Sequence, residues 1–351
     1  MEDLVENILN LNAKTIFYVS TSGNPDASGT SQETALDSIQ RALLLAQPGD
    51  QINILDGTYN ENVKTYRQGT EDKPIRIIGG PKAIVKSAVP RARVFEINHS
   101  YIHLEGFTID GLMGTDANSA SSYADKLLYI TSQTAGSYIS NIKVSYMTFK
   151  NAGGECIRLR YLVEDTEISY NRISTCGLYD YRFNKGGKNG EGVYVGTAPE
   201  QQSDGRNPDN QDDNSRYNWI HHNAINTQGN ECVDIKENST FNLVEANDCT
   251  GQLDPESGGI DVRGSHNRII GNIIYDVAGA GVRLGGDNED DGIHNDVVGN
   301  QFKGKLNAVI KIIRLPQGQI CENSVENATA RLIQGEDEII ANLKSPIDSC
   351  N

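Results

Sequence analysis

The hexapeptide Glu231-Cys-Val-Asp-Ile-Lys236 carries a pattern that recurs along this chain of 351 residues: an acidic or small residue followed by alternating apolar and polar positions. Alternate side chains of a β-strand point to opposite faces, so Val233 and Ile235 face one side while Asp234 and Lys236 face the other. The pattern occurs in five further segments, the last of them weaker: Glu155-Cys-Ile-Arg-Leu-Arg160, Glu191-Gly-Val-Tyr-Val-Gly196, Gly258-Gly-Ile-Asp-Val-Arg263, Ala280-Gly-Val-Arg-Leu-Gly285 and Asn307-Ala-Val-Ile-Lys-Ile312.

Each of these segments is followed by an asparagine that precedes an apolar run, so strand and turn recur together. Recurrence of this kind is typical of a solenoid, in which every repeat stacks on its neighbours. The sequence therefore predicts an all-β fold, a right-handed parallel β-helix. The recurring asparagines are Asn171, Asn223, Asn247, Asn272, Asn300 and Asn323.

The domain organisation follows from length and from the absence of a Pro/Ser-rich linker, which together indicate one elongated domain over residues 1–351. Residues 51–330 are predicted to form the coils, with cap regions at 1–50 and 331–351. Helical spacing of apolar residues predicts a short helix near Leu4, Ile8 and Leu11. A capping helix is predicted from Thr34 as N-cap to Gln47, because the open end of a solenoid needs a cover.

The composition bears on partners and location. The formal net charge of −16 argues against a nucleic-acid binder, and no apolar run is long enough to span a membrane. The six cysteines form sequence-local pairs, with free buried thiols as the alternative, and three Asn-x-Ser/Thr sequons accompany them. We expect a secreted, extracellular monomer. The expected pairs are Cys156 with Cys176, Cys232 with Cys249, and Cys321 with Cys350.

The outward residues of the repeats form three columns when neighbouring coils lie about 4.8 Å apart. Stacked carboxylates destabilise one another unless protons, a metal or cationic side chains intervene, so these columns predict a functional groove that binds a polyanion. The first column holds Glu155, Glu191 and Glu231, the second holds Arg158, Tyr194, Asp234, Asp261 and Arg283, and the third holds Arg160, Lys236 and Arg263.

The chemistry that such columns support is β-elimination on a uronate-containing polysaccharide. The reaction needs a group that neutralises the sugar carboxylate, a base for the adjacent C–H, and a group that assists the departing oxygen. Lys236 fits the base if burial and the neighbouring cation Arg263 lower its pKa.

Three consecutive coils resemble the alginate lyase and chondroitinase B family of polysaccharide lyases, within the pectate-lyase-like β-helix superfamily. The hexapeptide ending in Lys236 is similar to the family's E-x4-K strand, and the segments around Glu191 and Arg263 are similar to its N-G-G-E-x-I-R-I-G-T and L-x-L-R-H-G-N strands. The resemblance implies that Lys236 is the Brønsted base and that Arg263 assists the leaving oxygen. It also implies a Ca²⁺ site at Glu231 and Asn189, to which Glu191 is added; Gly229 stands where the family has a further acidic ligand.

The other polar residues of the columns are predicted to bind substrate, and two long loops, residues 177–190 and 197–216, to form the walls of the groove. The predicted substrate-binding residues are Arg158, Arg160, Tyr194, Asp234, Asp261, His266 and Arg283.

Three alternatives remain open at this stage. Asp234 and Asp261 stand on adjacent strands and could divide acid and base roles, as the carboxylates of a glycoside hydrolase do. A uronate epimerase would share the first proton abstraction. A non-catalytic, carbohydrate-binding solenoid would keep the charged groove without turnover.

Overall fold

The computed structural model describes residues 13–185, 187, 189–326, 330–341 and 343–350. The predicted helix near Leu4, Ile8 and Leu11 lies outside these residues. The described chain winds through three long parallel sheets in turn, and the predicted right-handed parallel β-helix is confirmed.

The strands of each sheet follow one another in chain order, as successive coils of a solenoid must. Sheet I consists of Ile16–Val19, Gln51–Ile54, Ile75–Gly79, Ile102–Glu105, Lys143–Ser145, Glu167–Ser169, Trp219–His221, Leu243–Glu245, Arg268–Ile270, Asp296–Val298 and Ile320–Cys321. Sheet II consists of Gly57–Asn60, Ala83–Lys86, Thr108–Asp110, Thr148–Lys150, Arg172–Ser174, Ala224–Gly229, Asp248–Gln252, Ile273–Tyr275, Gln301–Lys303 and Ser324–Glu326. Sheet III consists of Val63–Lys64, Arg93–Ile97, Lys126–Thr131, Ile157–Arg160, Val193–Val195, Val233–Ile235, Gly258–Val262, Ala280–Leu284, Ala308–Ile312 and Arg331–Gln334. The short strands Ile139–Ser140 and Val163–Glu164 pair with each other, and Ala120–Ser122 and Pro199–Gln201 form 3-10 turns.

The strand ladder extends beyond the predicted coil boundaries at both ends. Ile16–Val19 pairs with Gln51–Ile54 ahead of residue 51, and Arg331–Gln334 pairs with Ala308–Ile312 after residue 330. Inside the coils, the alternation read from the sequence places apolar side chains such as Val233, Ile235 and Ile260 at zero exposure in one continuous core.

The recurring asparagines are buried and form a hydrogen-bonded ladder at one turn of the coil. The side-chain oxygen of Asn247 accepts bonds from the backbone and side-chain N–H groups of Asn223, at 3.0 and 2.9 Å. The side-chain nitrogen of Asn247 donates to the carbonyl of Ile220 at 2.8 Å. Each turn thus satisfies backbone groups that would otherwise be buried without partners. A second ladder, not anticipated from the sequence, runs through Asn218, Asn242, Asn267 and Asn295.

The N-terminal end of the core is covered by helix α1 (Ile39–Leu45), as predicted, but the helix is shorter than the spacing of apolar residues indicated. The segment before it is extended, because Leu36 forms a β-bridge with Val19. Ser38 is therefore the N-cap, and it accepts a hydrogen bond from the N–H of Arg41 at 3.3 Å. Two further short helices are α2 (Leu178–Tyr181) and α3 (Asp337–Ile340).

The predicted disulfides are confirmed: Cys156 bonds to Cys176, Cys232 to Cys249, and Cys321 to Cys350. Of the sequon asparagines, Asn98 is buried, whereas Asn238 is partly exposed. Among the described helices, none has the length and apolar composition that a membrane crossing requires.

Candidate active site

The outward face of sheet III carries the predicted columns in the predicted register. Arg158 is paired with Tyr194, Tyr194 with Asp234, and Asp234 with Asp261 along consecutive strands. Asp261 is paired with Arg283 in turn. Lys236 and Arg263 follow the Asp234 and Asp261 strands directly, and the N–H of Arg263 donates to the carbonyl of Ile235 at 2.8 Å. The two residues therefore occupy one column on successive rungs.

The middle rungs of this face form the floor of an open cleft of about 390 Å³. The C-terminal rungs and the segment before Gly258 supply its side, so the long loop of residues 197–216 does not line it. The lining residues with charged side chains are Glu191, Glu231, Asp234, Lys236, Asp254, Glu256, Asp261, Arg263, Arg283 and Lys311.

Three buried carboxylates meet at one end of the cleft, and we call Glu191, Glu231 and Asp234 the acidic cluster. One oxygen of each lies within 4.8 Å of the others. Burial, together with Glu155 and Asp234, raises the pKa of Glu191 to about 7. Burial, with Asp234 and Glu191, raises the pKa of Glu231 well above its ordinary value. The cluster therefore resists carrying three negative charges without a compensating cation or protons.

The donor atoms of the acidic cluster fit a hard divalent cation such as Ca²⁺, which prefers carboxylate and amide oxygens. Among the described residues, none donates a hydrogen bond to the buried Oδ1 atom of Asp234, so one acceptor inside the cluster is available to a cation. Asn230 lies beside it and donates to Glu191 Oε1 at 3.3 Å, while accepting a hydrogen bond from the hydroxyl of Tyr181. Gly229 stands where the resembled family has an acidic ligand and offers no carboxylate. In this structure Asp234 supplies the third carboxylate of the cluster instead.

Lys236 differs from the prediction in its protonation. Its Nζ lies 2.8 Å from Asp234 Oδ2 and 4.9 Å from the centroid of the Tyr194 ring. Burial alone would lower the pKa of Lys236, but the Asp234 carboxylate and Tyr194 outweigh burial and raise the pKa well above its ordinary value. The expectation of a lowered pKa is therefore wrong. The Asp234 carboxylate, 2.8 Å from the amine, has a larger effect on the pKa of Lys236 than the cation Arg263 has.

Arg263 and Arg283 flank Asp261 on the floor of the cleft. Arg283 Nη1 lies 2.7 and 3.0 Å from the two oxygens of Asp261, and Arg263 Nε lies 3.5 Å from Oδ2. Burial alone would raise the pKa of Asp261, but Arg283 and Arg263 outweigh it and lower the pKa. Arg263 also donates to Glu237 at 3.2 Å, which fixes the direction of its guanidinium.

Arg158 and Arg160, predicted to bind substrate, lie beneath the loop of residues 197–216 and are only 1% and 2% exposed. Arg158 pairs with Glu155 at 2.7 Å and donates to the side chain of Gln201 at 3.0 Å. Arg160 contacts Asp204 and Asn207, both at 2.7 Å. These arginines anchor the loop and do not face the cleft. This corrects the prediction that they bind substrate, because the periodicity of the strands does not show which residues a loop covers.

Two further predicted residues lie away from the cleft. His266 is exposed at the turn before sheet I, where its ring stacks between Phe241 and His294 at 5.3 and 5.0 Å. Asn189 is half-buried, and its N–H donates to Asp180 Oδ2 at 3.0 Å, but it is not among the cleft residues. The structure therefore gives no contact by which His266 reaches a substrate in the cleft.

Tyr194 is buried between charged groups, with its ring 3.5 Å from the guanidinium carbon of Arg158.

Sequence reasoning missed Asn230, Ser257 and Lys311. Lys311 extends the second column by one rung, because it pairs with Arg283, and the weak sixth repeat contained that signal. Asn230 and Ser257 lie outside the strands, where periodicity has no predictive value.

No protein-family model matches the sequence, and no curated protein matches it significantly. Solved structures do share the fold. An alginate lyase from Paenibacillus sp. str. FPU-7 superposes with a TM-score of 0.66 at 20% identity, covering 85% of this chain and 95% of that one. Pectate lyase Pel9A gives 0.64 at 13% identity, covering 92% and 80%. A DFA-IIIase from Arthrobacter chlorophenolicus A6 gives 0.52 at 14% identity, covering 85% and 79%.

These TM-scores establish a common fold, and the low sequence identities show no more than that. The resemblance to the β-helix polysaccharide lyases is confirmed at that level, and the chain has a scaffold shared by two lyases and a DFA-IIIase.

Proposed function

We propose that the protein is a polysaccharide lyase that cleaves a uronate-containing, alginate-like acidic polysaccharide by β-elimination in the cleft of sheet III. The observation that carries the proposal is the position of Lys236 and Arg263 on successive rungs beside the buried acidic cluster. One cleft thereby holds the three kinds of group that elimination requires.

In the proposed reaction, Lys236, which is protonated while it is paired with Asp234, first releases that proton to water in the open cleft. The neutral amine then takes the proton from the carbon next to the uronate carboxyl group. The electrons form a carbon–carbon double bond, the bond to the glycosidic oxygen breaks, and that oxygen takes up a proton from water in the open cleft. Burial would lower the pKa of Arg263, but Asp261 and Asp234 outweigh burial and raise it. Arg263 therefore stays charged and assists the leaving oxygen by charge and hydrogen bonding.

Glu191, Glu231 and Asp234 are the residues that would hold a Ca²⁺ ion. Such an ion would neutralise the uronate carboxyl group and would compete with Lys236 for Asp234. Arg283 and Lys311, on the next rungs, supply further cationic contacts for a polyanionic chain.

Glycoside hydrolysis by Asp234 and Asp261 is the second candidate, supported by the DFA-IIIase fold match. The ion pairs argue against this choice of residues. Asp261 is held ionised by Arg283 and so cannot serve as the general acid, and Asp234 is engaged in an ion pair with Lys236 at 2.8 Å.

The test is incubation with alginate, polygalacturonate, glucuronan and dermatan sulfate, following ultraviolet absorbance and reducing ends together. A lyase produces both signals, because each cleavage leaves an unsaturated uronate end. A hydrolase produces reducing ends alone, an epimerase changes the uronate configuration without new ends, and a binding protein produces none of these.

Lys236→Arg is the decisive variant, because arginine can keep the ion pair with Asp234 but cannot accept a proton at working pH. We expect a loss of about 10²–10⁴-fold in kcat, the usual contribution of a general base. The control is Lys143→Ala on sheet I, an exposed lysine outside the cleft. Full activity of Lys236→Arg would remove the base assignment.

The three disulfides support the further proposal that this enzyme works in an oxidising, extracellular setting. We propose that it acts as a secreted monomer.

A further inference from the structure

A second cleft, of about 480 Å³, lies near the N-terminal rungs of sheet III. We call it the distal cleft. It has four cationic side chains and two carboxylates, although the whole chain has a formal net charge of −16. A local cationic excess on an acidic protein is the expected footprint of a site for an anionic ligand. The charged residues are Arg91, Arg93, Lys126, Arg206, Glu96 and Asp125.

Two of the cations are already compensated. Lys126 lies 2.8 Å from both Asp125 and Glu155. Arg93 lies 3.0 Å from Glu96, and its guanidinium carbon is 3.5 Å from the centroid of the Tyr129 ring. The excess positive charge must therefore come from the other two arginines.

Arg91 is exposed, and among the described residues no carboxylate forms an ion pair with it. Its N–H donates to the carbonyl of Tyr123 at 3.1 Å, and its guanidinium carbon lies 5.1 Å from the centroid of the Tyr179 ring. Backbone and side chain are thus both held, and the guanidinium is available to a carboxylate.

Arg206 is presented by the loop of residues 197–216. Asp204 Oδ1 accepts the N–H of Arg206 at 3.0 Å and also lies 2.7 Å from Arg160 Nη2. The Arg206 side chain is 59% exposed and 3.7 Å from the other oxygen of Asp204. Because one carboxylate serves two guanidinium groups, Arg206 brings uncompensated charge to the distal cleft.

Both clefts open on the same face of sheet III. The strand Arg93–Ile97 is four pairings away from Val233–Ile235, which corresponds to about 19 Å along the face. An extended polyanion that follows the face and passes over the loop can contact both clefts. Guanidinium groups suit this role, because they bind carboxylates through two parallel hydrogen bonds.

We propose that the distal cleft is a second binding site for a uronate carboxylate of the polysaccharide, several sugar units from the bond that is cleaved, with Arg91 and Arg206 as its ligands. This inference rests on the proposed function for the identity of the polymer. Binding can nevertheless be measured without turnover.

The experiment is electrophoresis of the folded protein through native gels that contain alginate or polygalacturonate, with dextran as the neutral polymer. Arg91→Ala/Arg206→Ala is compared with Arg172→Ala/Arg268→Ala, which removes the same charge from sheets II and I. All proteins carry Lys236→Arg so that the polymer is not cleaved. Melting temperatures verify folding, and Arg206→Glu is a second variant confined to an exposed loop side chain.

We expect the distal pair of substitutions to weaken retardation by either polyanion about tenfold, and the control pair to leave it unchanged. Retardation should also fall at roughly 0.5 M salt, where screening is strong. The proposal would be overturned if both double variants were retarded as strongly as the Lys236→Arg protein. It would also be overturned if both lost the same amount of retardation. An absence of cleavage products from the protein without Lys236→Arg would instead contradict the lyase assignment, and the gel result would stand separately.

Discussion

Replacing Glu191 with glutamine should remove a pH-dependent loss of stability that the acidic cluster imposes on the fold. The pKa of Glu191 rises from its ordinary value of 4.5 to about 7, through burial and the nearby carboxylates Glu155 and Asp234. The folded state therefore holds this proton more tightly than the unfolded state. The stabilisation is complete below pH 4.5 and is lost as the pH rises through about 7.

The size of the effect follows from that rise in pKa. A rise of about 2.5 corresponds to about 3 kcal/mol of unfolding free energy between the protonated and ionised limits. The unfolding entropy of a 351-residue chain is about 0.7 kcal/mol/K, so the expected change in Tm is about 4 °C.

The assay is calorimetric unfolding between pH 5 and pH 8 in the presence of a chelator. Over this range the Tm of the parent protein should fall about 4 °C further than that of Glu191→Gln. Adding Ca²⁺ at pH 8 should raise the Tm of the parent protein more than that of the variant, because the carboxylate is part of the acidic cluster.

Glu155→Gln is the matched control, one rung away in the same column. Burial alone would raise the pKa of Glu155, but Lys126 and Arg158 outweigh it and lower the pKa to about 2. Its stabilisation is present above pH 4.5 and is lost as the pH falls towards 2. The control should therefore lower Tm throughout the range, and because Glu155 is one of the two carboxylates that raise the pKa of Glu191, it should flatten the pH dependence only in part. An unchanged pH slope in Glu191→Gln would refute the reasoning.

Further predictions concern the ladder, the cleft and a disulfide. Asn247→Ala should cost about 3–5 kcal/mol, measured by denaturant unfolding, because it leaves several buried backbone and amide groups without partners; a cost below about 1 kcal/mol would contradict the ladder's role. Glu237→Gln should lower kcat about tenfold by loosening Arg263, with recovery in Glu237→Asp; unchanged kcat would show that this contact positions nothing. Replacing Cys232 and Cys249 with serine should cost about 3 kcal/mol, read as a lower urea midpoint, and an unchanged midpoint would count against that estimate.

The repeats made the register of sheet III predictable. A residue in one coil stacks on its equivalent in the next, so the spacing of apolar positions aligned Asp234 with Asp261 and Lys236 with Arg263 before any coordinates. The disulfides followed for the same reason, because one turn of the coil returns the chain to nearby positions. Local periodicity is sufficient for these features.

Tertiary structure decided which column residues are accessible. Arg158 and Arg160 share the periodicity of the cleft residues, yet a loop from a later coil covers them. His266 follows Arg263 closely in sequence but lies across a turn, in an aromatic stack. Coverage by a distant loop and the direction of a turn depend on long-range contacts, which a repeat pattern does not encode.

The protonation of the site was likewise decided in three dimensions. The sequence by itself determined that Lys236 stands in a column with a cation, on the same strand as Asp234. Only the folded side chains placed that carboxylate 2.8 Å from the amine and gathered Glu191, Glu231 and Asp234 within 4.8 Å. Electrostatic interactions in a buried site depend steeply on distance and solvent access, and rotamers and covering elements set both.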